Sequence, residues 1–309
     1  MNRYGFSTFG APSVFETIQA KALPPIAGVV QITVQGVGLN PYDAALRRGE
    51  QAKIRPLTFP IVPGTDVVGT VTAIGKGVTE FALGDTVINY RPIGGYSEVV
   101  NASVSKVAKM PDAMPLTQAA GLAQAGVAAL AALRQVNLHP GATLAIQGAS
   151  GGVGSLLVQL ARTAGLHVIA LASRPNLPLL KKLGADLALA TDDLGKIADV
   201  FGTADAVINA TGGGHELATS IELVKPDGKL LTTAWVDVDL STRPHVTRLQ
   251  LGTIKVDNGA LLHELVDTVA AGALSVPLAD VLPFDLAGVI RGHELLETRH
   301  APGKIVLVK

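Results

Sequence analysis

Three features of the 309-residue sequence predict an α/β chain with a doubly wound parallel sheet and a second, β-rich domain. Residues 143–154, T-L-A-I-Q-G-A-S-G-G-V-G, form an apolar run that ends in a glycine cluster and passes directly into S-L-L-V-Q-L-A-R. That is the pattern of a strand turning through glycines into a helix. Beyond it, apolar strand-like runs and helical stretches alternate as far as residue 234, as a right-handed parallel sheet requires. Before it, short segments broken by Gly and Pro, such as V-V-Q-I-T-V-Q-G-V-G at 29–38 and V-V-G-T-V-T-A-I-G at 67–75, read as strands closed by turns.

The length accommodates two domains with sizeable cores. The 25 basic and 25 acidic side chains cancel, which gives no electrostatic reason for nucleic acid or an anionic membrane as a partner. The sequence has no cysteine, so disulfides, thiolate metal sites and a cysteine nucleophile are excluded. Of the seven histidines, His215, His263 and His293 each open H-E-L but lack the second His of H-E-x-x-H. All three are expected on helix surfaces, and no metal site is expected. The first ten residues carry no apolar run after Arg3, and no stretch approaches the roughly 18 apolar residues of a membrane span. A soluble, cytoplasmic protein is the expectation.

Taken in order, the first helix falls at 40–49, N-P-Y-D-A-A-L-R-R-G, with Asn40 as N-cap, Pro41 in the first turn, Asp43 beside it and Gly49 as the stop. Residues 116–133 are Ala-rich and helical. At the glycine cluster, positive φ and absent side chains let a phosphate approach the free N–H groups of a helix N-terminus. Read as G-x-G-x-x-G, the turn has Ala149 in the first position, then Gly151 and Gly154. The same letters spell G-x-S-x-G through Gly148, Ser150 and Gly152, the nucleophile elbow of a hydrolase. A tight connection without a ligand is a third reading.

The next strand, 167–173, decides for a dinucleotide. Its end lies about 20 residues beyond the glycines, where such folds meet the adenosine ribose. There the chain has Ser173 and Arg174 instead of Asp or Glu, a hydroxyl and a guanidinium suited to a 2′-phosphate. NADP(H) is therefore predicted, held by Ala149, Ser150, Gly151, Gly152, Val153 and Gly154 along the turn. After L-G-A-D at 183–186 come a strand, a helix near 192–201, a strand at 204–211, a helix at 215–225 and a strand at 229–234. Asn209, Thr211, Thr233 and Trp235 lie at the carboxyl ends of those strands, where ligands sit; Asn209 and Thr211 equally suit turn positions. An amphipathic helix at 259–272 and a tail of helix, turn and strand complete the chain.

Seven segments together, N-P-Y-D at 40, P-G-T-D-V-V-G at 63, G-D-T-V at 84, G-G-Y-S-E at 94, G-A-S-G-G-V-G at 148, L-G-A-D at 183 and P-G-K-I-V-L at 302, make the chain resemble the zinc-free quinone oxidoreductase (zeta-crystallin-like) branch of the medium-chain dehydrogenases/reductases over nearly its whole length. The resemblance implies a GroES-like catalytic domain at 1–115, a Rossmann-type NADP-binding domain at 116–258, and a return segment at 259–309 that completes the catalytic domain. It implies hydride transfer from NADPH to a quinone or α,β-unsaturated carbonyl, without zinc, in a homodimer. It places Asn40 as a donor near the substrate carbonyl or nicotinamide ribose, against its capping role, and Lys304 among the cofactor-binding residues. Many relatives carry a Tyr where this chain has Ala45, and Tyr42, three residues earlier, presents a phenol from the same helix face. Tyr96 and Trp235 are candidate aromatic walls for a flat substrate, against plain packing. Where the family commonly has Thr beside the nicotinamide, the chain has Ala128. Two rival classes remain: a serine hydrolase using Ser150 with Asp227 and His245, which lacks an H-G-G-G-like oxyanion segment, and a non-catalytic NADPH-binding protein.

Overall fold

The computed structural model describes residues 1–253, 255–298 and 302–309. The chain forms two compact units, Met1–Ala125 with Asn258–Gly272 and Val276–Lys309, and Gly126–Asp257 with Ala273–Ser275. It is an α/β protein with a parallel sheet in one unit and a GroES-like β domain in the other.

The first unit is built on the strand Val29–Gly38, whose alternating residues Val30, Ile32 and Val34 are buried. It pairs antiparallel with Asp66–Ile74, which pairs with Thr86–Tyr90, and this in turn with Val107–Lys109. Its other edge takes Val99–Ser103 near one end and Lys304–Val308 near the other. The C-terminal strand thus joins the sheet built on Val29–Gly38. In register, Gly38 faces Asp66 and Asp66 faces Tyr90 across three adjacent strands. The core gathers Phe6, Phe15, Ile32, Val67, Tyr96, Val289 and Leu307.

The unit's reach exceeds the predicted boundary at 115. The helix Leu116–Ala120 and the residues to Ala125 belong to it, because Gln118 Oε1 accepts the Val276 N–H at 3.0 Å and the Gln124 N–H donates to Asp66 Oδ1 at 2.5 Å. The strand Leu278–Pro283, parallel to Lys304–Val308, was not foreseen, since L-A-D-V-L-P offers no clean alternation.

The second unit is a six-stranded, all-parallel sheet in the order Leu187–Ala190, His167–Ala172, Thr143–Gln147, Ala204–Asn209, Val224–Thr232, Thr247–Gln250. The central strands are near-continuous Val, Ile, Leu and Ala because they are buried along nearly their whole length. The chain starts in the middle, runs out to one edge, then crosses back, so the order reverses between Thr143–Gln147 and Ala204–Asn209. The helix expected at 215–225 is only Leu217–Leu223, and the following strand begins at Val224. The helix expected near 192–201 is Leu194–Ala198, capped by Asp193, which accepts the Lys196 N–H. The strand Thr247–Gln250 escapes prediction because T-R-L-Q has neither alternation nor an apolar run. Among the described residues no helix is long and apolar enough to cross a membrane.

Candidate cofactor and substrate sites

The glycine turn lies at the strand-order reversal, where open parallel sheets bind ligands. Gly148 ends the strand with φ 73°, and Gly151 is the N-cap of the helix Gly152–Thr163. A Cβ on Gly154 would stand 2.2 Å from the Gly148 carbonyl oxygen. The helix therefore approaches the strand end more closely than any other residue allows, and its first-turn N–H groups, as at any helix start, lack intrahelical partners. Such a cradle fits a pyrophosphate. Nearby, the buried Gln147 side chain donates to Glu216, and its Oε1 has no hydrogen-bond partner.

At the ribose end, Asn176 bridges the two predicted serines, donating to Ser150 Oγ at 3.1 Å and to Ser173 Oγ at 3.0 Å. Sequence reasoning missed Asn176; its place three residues after Ser173, in the turn that opens the next helix, was the available signal. Arg174 is not free. Its guanidinium forks onto Asp192, Nη2 to Oδ1 at 2.9 Å and Nε to Oδ2 at 3.4 Å. Both side chains are largely exposed, 58% and 64%, so the pair contributes about 0.2–1 kcal/mol at most and opens readily to a phosphate.

The hydrolase reading fails on topology. Ser150 follows the carboxyl end of its strand and accepts from Asn176, whereas Asp227 and His245 precede Lys229 and Thr247, which pair at the opposite end of the same parallel sheet. No triad forms across the length of a strand.

Asn209 is the last residue of its strand and Thr211 opens the turn that follows, both at the carboxyl edge of the sheet. Asn209 is buried and fully engaged: Nδ2 donates to the His215 carbonyl and Ser220 Oγ, and Oδ1 accepts from the Thr211 N–H and hydroxyl. The Thr233 hydroxyl donates back to the Asn209 carbonyl at 3.2 Å. Trp235 is 79% exposed.

In the first unit, Lys304 is buried and Nζ spends its three donors on the Leu39 carbonyl at 3.0 Å, Asn40 Oδ1 at 2.5 Å and Asp66 Oδ2 at 3.0 Å. It clamps Asn40, so contact with a cofactor requires it to release one of these three partners. Asn40 Nδ2 donates to Thr65 Oγ1 at 3.0 Å and Asp66 Oδ2 at 2.9 Å. The Asn40 amide is thus committed at both ends and stands at the centre of a buried cluster, so a donor role toward substrate requires it to release Thr65 or Asp66.

Asp43 reaches back as the first-turn acid, accepting the Asn40 N–H at 3.0 Å on Oδ2, and also the Gly64 N–H at 3.1 Å on Oδ1. Full burial pushes its pKa up to about 7, opposed by those two N–H groups and by Lys304, and reinforced by the Asp66 charge. Tyr96, the candidate aromatic wall, packs in the core of the first unit. It is fully buried, its hydroxyl 3.3 Å from both Asp43 Oδ2 and His293 Nε2. His293 is buried too, with its ring edge-on to Phe15 at 4.6 Å, which overturns its placement on a helix surface. Burial first, then Arg47 and Arg48, lower its pKa to about 3. Its signal was legible in retrospect: Gly288, Val289, Gly292 and His293 make one buried helix face.

Tyr42 is half-buried; Arg55 Nη2 donates to its hydroxyl at 2.9 Å, and Arg91 lies over its ring. Among the described residues no three His, Asp or Glu side chains gather as a metal-holding group.

These sites fit the known proteins that the chain matches. Residues 27–112 match the family described as alcohol dehydrogenase GroES-like domain, and residues 152–260 the one described as zinc-binding dehydrogenase. The chain is 30% identical to the NADPH-dependent alkenal/one oxidoreductase of Arabidopsis thaliana chloroplasts, over 99% of this chain and 79% of that protein. It is 34% identical to the chloroplast envelope quinone oxidoreductase homolog of the same plant, over 61% of this chain and 59% of that protein. The quinone oxidoreductase structure from Coxiella burnetii superposes with a TM-score of 0.88 at 28% identity, covering 100% of this chain and 99% of that one. With the glycine cradle at the sheet's switch point and the strand Lys304–Val308 closing the GroES-like sheet, the chain belongs to the quinone oxidoreductase branch of the medium-chain dehydrogenases/reductases.

Proposed function

We propose that this protein is a zinc-independent, NADPH-dependent reductase of quinones or α,β-unsaturated carbonyls. The observation that carries the reading is the Gly148–Gly154 cradle at the switch point, supported by the alkenal/one and quinone oxidoreductases among the relatives. The N–H groups of Gly152, Val153 and Gly154 would hold the pyrophosphate, and Ser173 and Arg174 the 2′-phosphate end. NADPH supplies a hydride, and with one proton from solvent or a side chain the acceptor is reduced by two electrons while NADP⁺ remains. The chain's part is to orient the acceptor and exclude water. Tyr42 retains its own hydroxyl hydrogen while accepting from Arg55, and is the phenol proposed to deliver the proton. Tyr42→Phe is then expected to lower kcat about 10²-fold; unchanged turnover removes the phenol from the mechanism. A homodimer and a cytoplasmic location belong to the same proposal, to be checked by light scattering and by fractionation.

The test is a fluorescence titration with NADPH and with NADH, followed by oxidation assays with a 1,4-quinone and a small enone. NADPH binding with turnover supports the reading, and failure of either nucleotide to bind overturns it. The fully committed amide of Asn40 and Ala128 favour a second reading, a non-catalytic NADPH-binding protein. Tight binding without turnover on either acceptor selects it.

The Arg174–Asp192 pair gives a separate expectation. Asp192→Asn frees the guanidinium and removes a like charge from the phosphate's neighbourhood, so NADPH affinity should rise about threefold to tenfold while NADH affinity stays constant. Equal effects on both nucleotides would show that Arg174 does not meet the 2′-phosphate.

A further inference from the structure

Arginines in this chain commonly meet carboxylates: Arg47 and Arg48 meet Glu297, Arg174 meets Asp192, Arg243 meets Glu222 and Arg291 meets Glu294. Among the described residues Arg3, Arg55, Arg91, Arg162 and Arg248 have no such partner, and of these Arg55 and Arg91 share one neighbour. Arg55 Nη2 donates to Tyr42 Oη at 2.9 Å, and Arg91 Cζ lies 5.2 Å from the centre of the Tyr42 ring. Among the described residues neither guanidinium has a carboxylate within ion-pair distance. The Tyr42 hydroxyl and π face orient the two cations but leave both charges uncompensated. Both guanidiniums are exposed, and their shared position on Tyr42 offers an incoming anion two donors side by side.

The backbone holds this arrangement in place. Arg91 sits in the left-handed region with φ 49°, uncommon for a residue with a long side chain, and its N–H donates to the Thr65 carbonyl at 2.9 Å. Thr65 Oγ1 in turn accepts from Asn40, and Tyr42 lies in the first turn of the helix that Asn40 begins. The cation pair is thus tied to the segments 40–43 and 63–66 that carry the buried Asn40 cluster. A planar guanidinium fork matches the two oxygens of a carboxylate.

We propose that Tyr42, Arg55 and Arg91 form an anion-recognition subsite that selects acceptors bearing a carboxylate. The inference rests on the reductase reading for the identity of the acceptor, though not for the existence of the subsite. Enones are suitable probes because the chain has no thiol to add to them.

Binding is measured first, without turnover, by calorimetry with 4-oxo-4-phenylbutanoate and its methyl ester. The free acid is expected to bind about tenfold more tightly than the ester, with the ratio falling as salt is added. In Arg55→Gln and in Arg91→Gln the ratio should collapse toward one. Each variant carries its own ester control, so a general loss of folding moves both ligands together and leaves the ratio interpretable. Equal binding of acid and ester by the wild-type protein, no binding of either, or a ratio that survives both substitutions would overturn the subsite. NADPH oxidation with the corresponding enone acid and ester is read separately. No turnover with an intact acid preference overturns the reductase reading and leaves the subsite standing. Turnover with equal kcat/KM for acid and ester supports the reductase and overturns the subsite.

Discussion

Lys304→Met is expected to destabilise the first unit by about 3–5 kcal/mol, a loss of roughly 10 °C in its melting temperature. The ammonium is buried and its three contacts are the Leu39 carbonyl, Asn40 Oδ1 and Asp66 Oδ2. Methionine fills the volume but leaves the buried Asp66 carboxylate with only neutral donors, the Asn40 amide on Oδ2 and the Gln124 N–H on Oδ1. An uncompensated buried charge costs far more than the pair contributes, because the desolvation of both ions was already met in the native protein. The double variant Lys304→Met with Asp66→Asn removes both charges, and should recover much of the loss. Differential scanning calorimetry on the single and double variants checks this. A single variant that melts within 2 °C of wild type, or a double variant no better than the sum of the singles, would show that the cluster does not hold the unit together.

The cluster explains which parts of the site the sequence could reveal. The glycine turn was legible because its chemistry is local: a strand, a positive φ and a helix N-terminus lie within twelve letters. The helix at 40 was legible for the same reason, with Asp43 correctly placed in the first turn. What Asp43 does beyond that turn was not, because its other partners, Gly64 and Tyr96, lie 21 and 53 residues away. Lys304 meets Asn40 across 264 residues, a pairing that depends on the C-terminal strand joining Val29–Gly38. Asn40, Tyr96 and Lys304 were each singled out from the sequence, yet nothing in it says that the Lys304 ammonium bonds the Asn40 amide or that the Tyr96 hydroxyl faces Asp43. The same distinction holds for Arg174, whose type suits a phosphate but whose partner, Asp192, comes from the end of a neighbouring strand. The exposed Trp235 shows the converse: an aromatic residue after a strand end draws attention in the sequence, while its surroundings decide its use.

The largest pH-dependent effect should come from Asp43 and His293, and the two should act in opposite directions. The Asp43 pKa rises from 3.8 to about 7 on folding, so the folded protein binds that proton more tightly than the unfolded chain. Its contribution to stability is fully present below about pH 4 and is lost as pH rises through about 7. The His293 pKa falls from 6.5 to about 3, with burial the main cause and Arg47 and Arg48 next. Its contribution is present above pH 6.5 and is lost as pH falls toward 3. Between pH 4 and 6.5 the wild-type protein therefore shows a partial cancellation, each group worth up to about 1.4 kcal/mol per pH unit. Removing one group exposes the other. The melting temperature of Asp43→Asn relative to wild type should improve as pH rises from 5 to 8, since the variant has no buried carboxylate to ionise near Asp66. The melting temperature of His293→Phe relative to wild type should improve as pH falls from 8 to 5, since phenylalanine keeps the contacts with Phe15 and Tyr96 and has no proton to take up. Difference curves that are flat, or that slope the same way, would show that the Asp43–Tyr96–His293 chain does not carry the folded protein's tightly held proton.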